Sequence, residues 1–170
     1  METTVPLIPW NTAALWQEAN FALCRTIERH HERLTDARNI AIALRKEMIS
    51  IFPQMDHLCG ISCPSCPEIC CCRACVWLDY RDLLFLHLVG IQIPEAQLLS
   101  HRGEQCRYIG PEGCSLDRIQ RPFVCTYYLC PAQTQYLRER STHLHGLSKC
   151  LQRIKSLRRE MEHLFVAAIL

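Results

Sequence analysis

The sequence lacks several features by which common enzymes are recognised. It has no glycine-rich loop that would cradle a phosphate, no Ser-His-Asp pattern for nucleophilic catalysis and no separate substrate domain. These absences favour a binding protein over an enzyme.

Long apolar runs and an excess of one charge are also missing. The opening stretch, METTVPLIPWNTAALW, holds no basic residue and no apolar segment of membrane-spanning length, so we expect neither a signal peptide nor a membrane anchor. A formal net charge of +2 gives no global attraction for nucleic acid. Residues 138–159 are locally basic, which is most typical of a solvated helix face. The sequence therefore predicts a cytoplasmic protein that binds neither membrane nor nucleic acid.

Cysteine, by contrast, is abundant. The chain contains thirteen cysteines, and six of them fall within residues 63–75, CPSCPEICCCRAC. An odd number cannot all form disulfides, and 170 residues can bury a hydrophobic core without them. In a reducing compartment, clustered cysteines are typical of metal ligands or catalytic thiols.

Apolar periodicity predicts a mainly α fold. Residues 11–52 predict one helix, with a cap at Asn11 and an end at Pro53. Its small or apolar residues recur at alternating spacings of four and three, which places them in a seam along one face of the helix. A second seam of this kind lies in residues 136–169 and is interrupted by Arg158. We expect two long antiparallel helices that pack within one chain, giving a monomer, or else a homodimer formed through these seams. The seam positions are Leu23, Ile27, His30, Leu34, Ala37, Ala41, Leu44, Met48 and Ile51, then Leu144, Leu147, Leu151, Ile154, Met161, Phe165 and Ala168.

Short helices and loops are expected between the seams. Residues 76–90 predict a buried helix that ends at Gly90, and residues 94–99 a short helix that begins at Pro94. Proline and glycine punctuate residues 59–75 and 106–131, which predicts loops that can bend thiolates toward one point. We expect residues 1–170 to form a single domain in which residues 59–131 are the metal-binding region.

The spacing of the first cysteines suits a soft metal. Cys63 and Cys66 have the C-x2-C spacing that lets two sulfurs reach one ion, whereas the neighbours Cys70 and Cys71 cannot easily point at the same small ion. Several metals or a polynuclear centre are therefore implied. Cys59, Cys63 and Cys66 also match the spacing of radical S-adenosylmethionine enzymes, but the barrel context is missing. A thioredoxin-like role for Cys63 and Cys66 lacks its βαβ context.

Other candidates stand apart from this run. Cys24 and Cys150 fall within the predicted helices and are expected to be structural thiols. His57 and His101 each lie near a cluster cysteine and are weaker candidates for ligands, and His30 on the first seam is more typical of a core or register-setting residue.

Three segments together resemble a known family. CPSCPEICC, then the helix VWLDYRDLLFLHLVG, then CRYIGPEGCSLDRIQRPFVCTYYLCP are similar to the YkgJ-type CxxCxxCC family of zinc- or iron-chelating proteins, over residues 63–131. The resemblance implies that Arg121 and Pro122 fix the loop between the later cysteines. The metal-binding residues that it implies are Cys63, Cys66, Cys70, Cys71, Cys106, Cys114, Cys125 and Cys130.

The chain also departs from the family pattern. Three residues separate Cys66 from Cys70 where the usual pattern has two, and Cys59, Cys72 and Cys75 are additional. The ligand set of the first block, the cysteines of residues 59–75, is accordingly open among Cys59, Cys70, Cys71, Cys72 and Cys75. The second block, which consists of Cys106, Cys114, Cys125 and Cys130, matches the family more specifically.

The expected cofactor is an iron-sulfur cluster, with zinc as the alternative. The surplus of cysteines, the aromatic flanks Phe123, Tyr127 and Tyr128, and the ending Cys130-Pro131 favour a cluster, whereas a closed four-thiolate site would suit zinc. We expect a metal-binding protein with a structural, redox or electron-transfer role and a protein redox partner. The alternatives are a cluster-dependent enzyme such as a protein-lysine methyl-transfer protein, and a structural zinc interaction module.

Overall fold

The computed structural model of the protein describes residues 7–67, 69–111 and 113–170, with side chains for all of these except residues 141–145. This part of the chain is mainly α, as predicted. Its helices are α1 (Ala13–Arg29), α2 (Thr35–Ser62), α3 (Cys70–Arg73), α4 (Tyr80–Leu88), α5 (Phe123–Tyr127), α6 (Pro131–Arg138) and α7 (Ser141–Ile169), with 3-10 helices at His31–Leu34 and Arg118–Gln120 and strands β1 (Ile109–Gly110) and β2 (Gly113–Cys114).

Helices α2 and α7 pack antiparallel at the centre of the core. His57, near the end of α2, packs beside Tyr136 of α6, the helix that precedes α7, with tilted rings whose centroids are 6.2 Å apart. Glu47, in the middle of α2, accepts a 2.7 Å hydrogen bond from Arg153 Nε, further along α7. The two helices therefore run in opposite directions. Their buried positions are Ala37, Ala41, Leu44, Met48, Ile51, Met55, Leu58, Leu147, Ile154, Leu157, Met161 and Phe165.

The predicted seams pack within one chain. All the apolar positions of the first seam are buried in a common core with Leu147, Ile154, Met161 and Phe165 of the second. Leu151 and Ala168 are partly buried against that core. The side chain of Leu144 lies outside the described residues. Burial of this apolar surface in a single chain is the main source of stability for a fold of this size.

The single helix predicted for residues 11–52 is wrong, because α1 ends at Arg29. His30 leaves helical geometry with φ −109° and ψ 18°, and a 3-10 turn follows. Leu34 lies in that turn and is fully buried, so the apolar spacing continues across the break and conceals it. The N-cap is Thr12, whose hydroxyl accepts a bond from Leu15 N, whereas Asn11 donates to Ser100 O.

The break lets α1 pack on α4. Asn20 Oδ1 lies 2.9 Å from His87 Nε2, and Trp16 Nε1 donates to Pro94 O over 3.0 Å. Burial lowers the pKa of His87, so its ring is neutral near pH 7.

Pro53 does not end the N-terminal helical region, contrary to prediction. It lies inside α2, which continues to Ser62. Because proline has no N–H, the carbonyl of Ile49, four residues earlier, loses its helical donor at Pro53. Ile49 and Pro53 are both exposed, so water can solvate that carbonyl. The consequence is that Cys59 belongs to a helix and not to a loop.

The helix predicted for residues 76–90 is shorter, and α4 covers Tyr80–Leu88 with an N-cap at Asp79. The helix predicted for residues 94–99 does not form. Gln97 is buried there, and its amide bonds Leu78 N, Leu78 O and Pro9 O at 2.8–3.1 Å. These side-chain bonds to distant backbone groups hold the segment in a non-helical conformation.

The cysteine-bearing region is not purely loop. It contains α3, the β1–β2 hairpin, a 3-10 turn and α5. Gly113 supplies the φ of 102° at the start of β2, a conformation that side-chain-bearing residues rarely adopt. Over the described ranges, no helix has the length and apolar character needed to span a bilayer.

Candidate metal centre

Helix ends and the hairpin bring the cysteines toward one another. Cys59 lies in the last turn of α2, Cys63 caps that helix, and α3 begins with Cys70 and Cys71. From the second block, Cys114 pairs with Ile109 across the hairpin. Cys106 precedes the hairpin and Cys125 lies in α5.

The thiols of the first block are electrostatic neighbours. Loss of solvent raises the pKa of Cys63, and charge on Cys59 or Cys70 raises it further. Cys71 is exposed as a residue, yet partial desolvation of its thiol and the adjacent Cys70 and Cys63 raise its pKa to about 12. In the absence of a cation the thiols of Cys63 and Cys71 are therefore protonated at neutral pH.

The two blocks meet through Cys71. Charge on Cys114 also raises the pKa of Cys71. Burial raises the pKa of Cys125 to about 12, and charge on Cys71, Cys106 and Cys114 adds to that rise. Residues 76–105 separate the two blocks in the chain, so the fold brings these thiols near enough to affect one another's charge. Six of the eight implied cysteines are joined in this way: Cys63, Cys70, Cys71, Cys106, Cys114 and Cys125.

Backbone N–H groups point at one of these sulfurs. Burial raises the pKa of Cys106, but hydrogen bonds from the backbone at Tyr108 and Ile109 act in the opposite direction. Such N–H donors favour the thiolate form and tune cysteine ligands of metals. The turn that opens the hairpin therefore offers Cys106 as a hydrogen-bonded sulfur.

Cationic side chains lie beside the cysteines as well. Burial raises the pKa of both Cys125 and Cys106. Against this larger effect, Arg121 lowers the pKa of Cys125 and Arg107 lowers that of Cys106. Arg121 Nε also donates to Leu116 O over 3.0 Å and so closes the loop before α5. These guanidinium groups can balance part of the negative charge of a thiolate cluster.

Cys59 joins the group although it was not among the eight. Its sulfur accepts hydrogen bonds from Arg118 Nη2 over 3.9 Å and from Gln133 Nε2 over 3.8 Å, and it neighbours Cys63. The Cys59-x3-Cys63 spacing is the i, i+4 spacing of one helix face. The sequence does not reveal this shared face, because Pro53 predicts that the helix ends before Cys59.

Two of the eight implied cysteines are placed by hydrogen bonds of their own segments. Cys66 follows α2 in a turn closed by its N–H and Cys63 O, 3.2 Å apart. Cys130 is the N-cap of α6, where its backbone N–H donates to Gln133 Oε1 over 3.3 Å. Cys66 thus lies one turn beyond Cys63, and Cys130 opens the helix that carries Gln133.

The remaining candidates lie at the periphery. Cys72 and Cys75 are exposed, and the sulfur of Cys72 accepts a bond from Gln105. Cys24 lies on α1 beside Glu28, which raises its pKa by hydrogen bonding. His57 bonds Tyr136 and His101 lies against Arg102 O, so neither ring faces a cysteine through these bonds.

A buried ion pair holds the second block against the helices. Arg158 Nη1 donates to Asp82 Oδ1 over 2.5 Å, with only 6% and 7% of the two side chains exposed. The same Asp82 oxygen accepts the N–H of Phe123, the first residue of α5. Arg158 also lies over the Phe123 ring at 4.8 Å. The helix that carries Cys125 is therefore fixed to both α4 and α7.

The sulfurs are neighbours without forming a closed coordination shell. Every cysteine is a free thiol. Among the residues that the structure describes, no three His, Cys, Asp or Glu side chains are grouped so that they could hold a metal ion.

Comparison with known proteins adds no relative to this description. No family model, no curated protein and no solved structure matches the chain.

Proposed function

We propose that the chain is a metal-binding protein whose two cysteine blocks together hold an iron-sulfur centre, or zinc in its place, with a structural, redox or electron-transfer role. The observation that carries this proposal is the meeting of the two blocks at Cys71, Cys114 and Cys125. Thiolates are the ligands that both zinc and iron-sulfur clusters prefer.

The donor set suits a soft cation. Cys71 and Cys125, whose pKa values are about 12, oppose each other's ionisation and must lose protons before they can bind. A bound cation reverses this effect, because it favours the thiolate form of every sulfur that it contacts. Backbone N–H groups at Cys106 and the nearby guanidinium groups of Arg107 and Arg121 favour the same charge state.

The surroundings of α5 support an iron-sulfur centre over zinc. Phe123 is buried, and Tyr127 and Leu129 are half-buried against the core beside Cys125. Apolar groups near a cluster exclude water and help to set its potential. When bound, the cluster would supply one-electron chemistry, while the protein fixes its ligands and limits access of solvent.

The resemblance to the YkgJ-type family is part of this proposal. It implies the same residues in the second block, Cys106, Cys114, Cys125 and Cys130, of which the structure joins the first three. Metal binding would then close residues 59–131 over the end of the α2–α7 pair.

The test is the composition and spectrum of protein purified without oxygen. Iron and acid-labile sulfide with broad absorbance at about 400 nm are expected for a cluster. A colourless protein with stoichiometric zinc would identify the four-thiolate alternative. A folded protein with neither metal would refute the proposal.

A further inference from the structure

The end of α2 presents two thiols on one face. Cys63 N donates to Cys59 O over 2.9 Å, so the last helical turn places the two cysteines four residues apart. Side chains at this spacing lie one above the other on the helix surface. Charge on Cys59 affects Cys63, and Cys63 in turn neighbours Cys70.

Two nearly buried donors point at the Cys59 sulfur. Arg118, with 10% of its side chain exposed, approaches it from the 3-10 turn after the hairpin. Gln133 is buried on α6 and divides its amide between this sulfur and Ser62 Oγ, 3.0 Å away. Burying a guanidinium and an amide is costly unless they meet acceptors. The Cys59 sulfur therefore serves as an acceptor for both of these donors.

Arg118 also has a carboxylate partner, Asp56, on the same helix. That ion pair satisfies much of the guanidinium group of Arg118. It does not account for Gln133, which comes from a different element and reaches the same sulfur. Two elements, the 3-10 turn after the hairpin and α6, thus supply donors to Cys59.

Cys66 is held by a different kind of bond. Its backbone N–H donates to Cys63 O over 3.2 Å in the turn that follows α2. Cys59 and Cys66 are both half-buried, so they form a matched pair.

We infer that Cys59 is a ligand of the metal centre, and that the first four-thiolate group is Cys59, Cys63, Cys70 and Cys71, without Cys66. This inference rests on the proposed function and specifies its first ligand set. Arg118 and Gln133 hold the Cys59 sulfur in place through their hydrogen bonds.

The experiment compares Cys59→Ser with Cys66→Ser in the full-length chain. Both proteins are purified without oxygen, and iron, sulfide and zinc are measured per chain beside the unchanged protein. Cys59→Ser is expected to lose most of the metal of the first group, and its zinc affinity should fall at least about tenfold. Cys66→Ser should keep the content of the unchanged protein.

Alkylation mapping tests the inference without any substitution. In the metal-loaded protein, iodoacetamide should label Cys66 and leave Cys59 protected, and chelation should remove the protection of Cys59. Retention of full metal content by Cys59→Ser, equal loss from both variants, or labelling of Cys59 that chelation does not change would overturn the inference. Metal in the unchanged protein shows that such a failure concerns Cys59 alone; its absence would refute the proposed function as well.

Discussion

Replacing Arg158 with methionine should destabilise the protein by about 3–5 kcal/mol at pH 8, because it leaves a buried carboxylate without its cation. Arg158 bonds Asp82 over 2.5 Å and Asp79 over 3.0 Å. After the change, Asp82 keeps the N–H of Phe123 and that of Asp79 as donors, and both are neutral. Loss of the contact with the Phe123 ring adds to the effect.

The destabilisation caused by Arg158→Met should increase with pH. Burial raises the pKa of Asp82 from 3.8 to about 6 although Arg158 opposes the rise, so in Arg158→Met the pKa must rise further. A carboxyl whose pKa is higher in the folded chain binds its proton more tightly there, so proton binding stabilises the fold at low pH. This stabilisation is lost as the pH rises through the pKa of the folded chain. The destabilisation should therefore be largest at pH 8 and clearly smaller at pH 5.

Urea denaturation at pH 5 and pH 8, followed by circular dichroism, measures both effects. Arg153→Met is the matched control on the same helix, since Arg153 is largely exposed and its pair with Glu47 should contribute less than about 1 kcal/mol. An Arg158→Met protein no less stable than Arg153→Met at pH 8, or one whose deficit is the same at both pH values, would refute the role assigned to the buried pair.

Three further outcomes are expected. Cys125→Ser should lose most of the bound metal, whereas Cys150→Ser on α7 should lose none. Equal loss from the two variants in metal analysis would contradict the assignment of Cys125 as a ligand and Cys150 as a structural thiol. Zinc affinity should rise from pH 6 to pH 8 with release of protons, because the pKa values of Cys71 and Cys125 are raised to about 12 and both thiols must lose a proton to bind. Calorimetry in two buffers that differ in ionisation enthalpy counts these protons, and zinc binding without proton release would show that protonated thiols are not its ligands. Chelation should open residues 59–131 to protease while α7 stays helical, and an unchanged cleavage pattern would place the cysteines outside the folded metal region.

The long helices could be predicted because burial repeats along them. Leu44 and Met48 on α2 and Ile154 and Met161 on α7 keep the spacing of one helix face. The break at His30 could not be predicted in this way, because the 3-10 turn leaves Leu34 in step with the same pattern. The absence of a helix at residues 94–99 depends on Gln97 and its distant partners, which a local window cannot contain.

The candidate site was predictable by residue type more than by arrangement. Cysteine spacing identified both blocks, but only the fold joins Cys71 to Cys125. Cys59 belongs to a helix face because α2 continues past Pro53, which the sequence does not indicate. An arginine inside an apolar seam is a signal for a buried carboxylate partner, and the structure supplies Asp82 from α4 to Arg158.

Native mass spectrometry of protein purified without oxygen shows directly whether the cysteine blocks bind metal. We expect a native mass greater than the denatured mass by that of an iron-sulfur cluster or of zinc. Denaturation in acid should remove the difference, since the ligands are thiolates. Identical native and denatured masses for a folded chain would show that the cysteine blocks bind no metal.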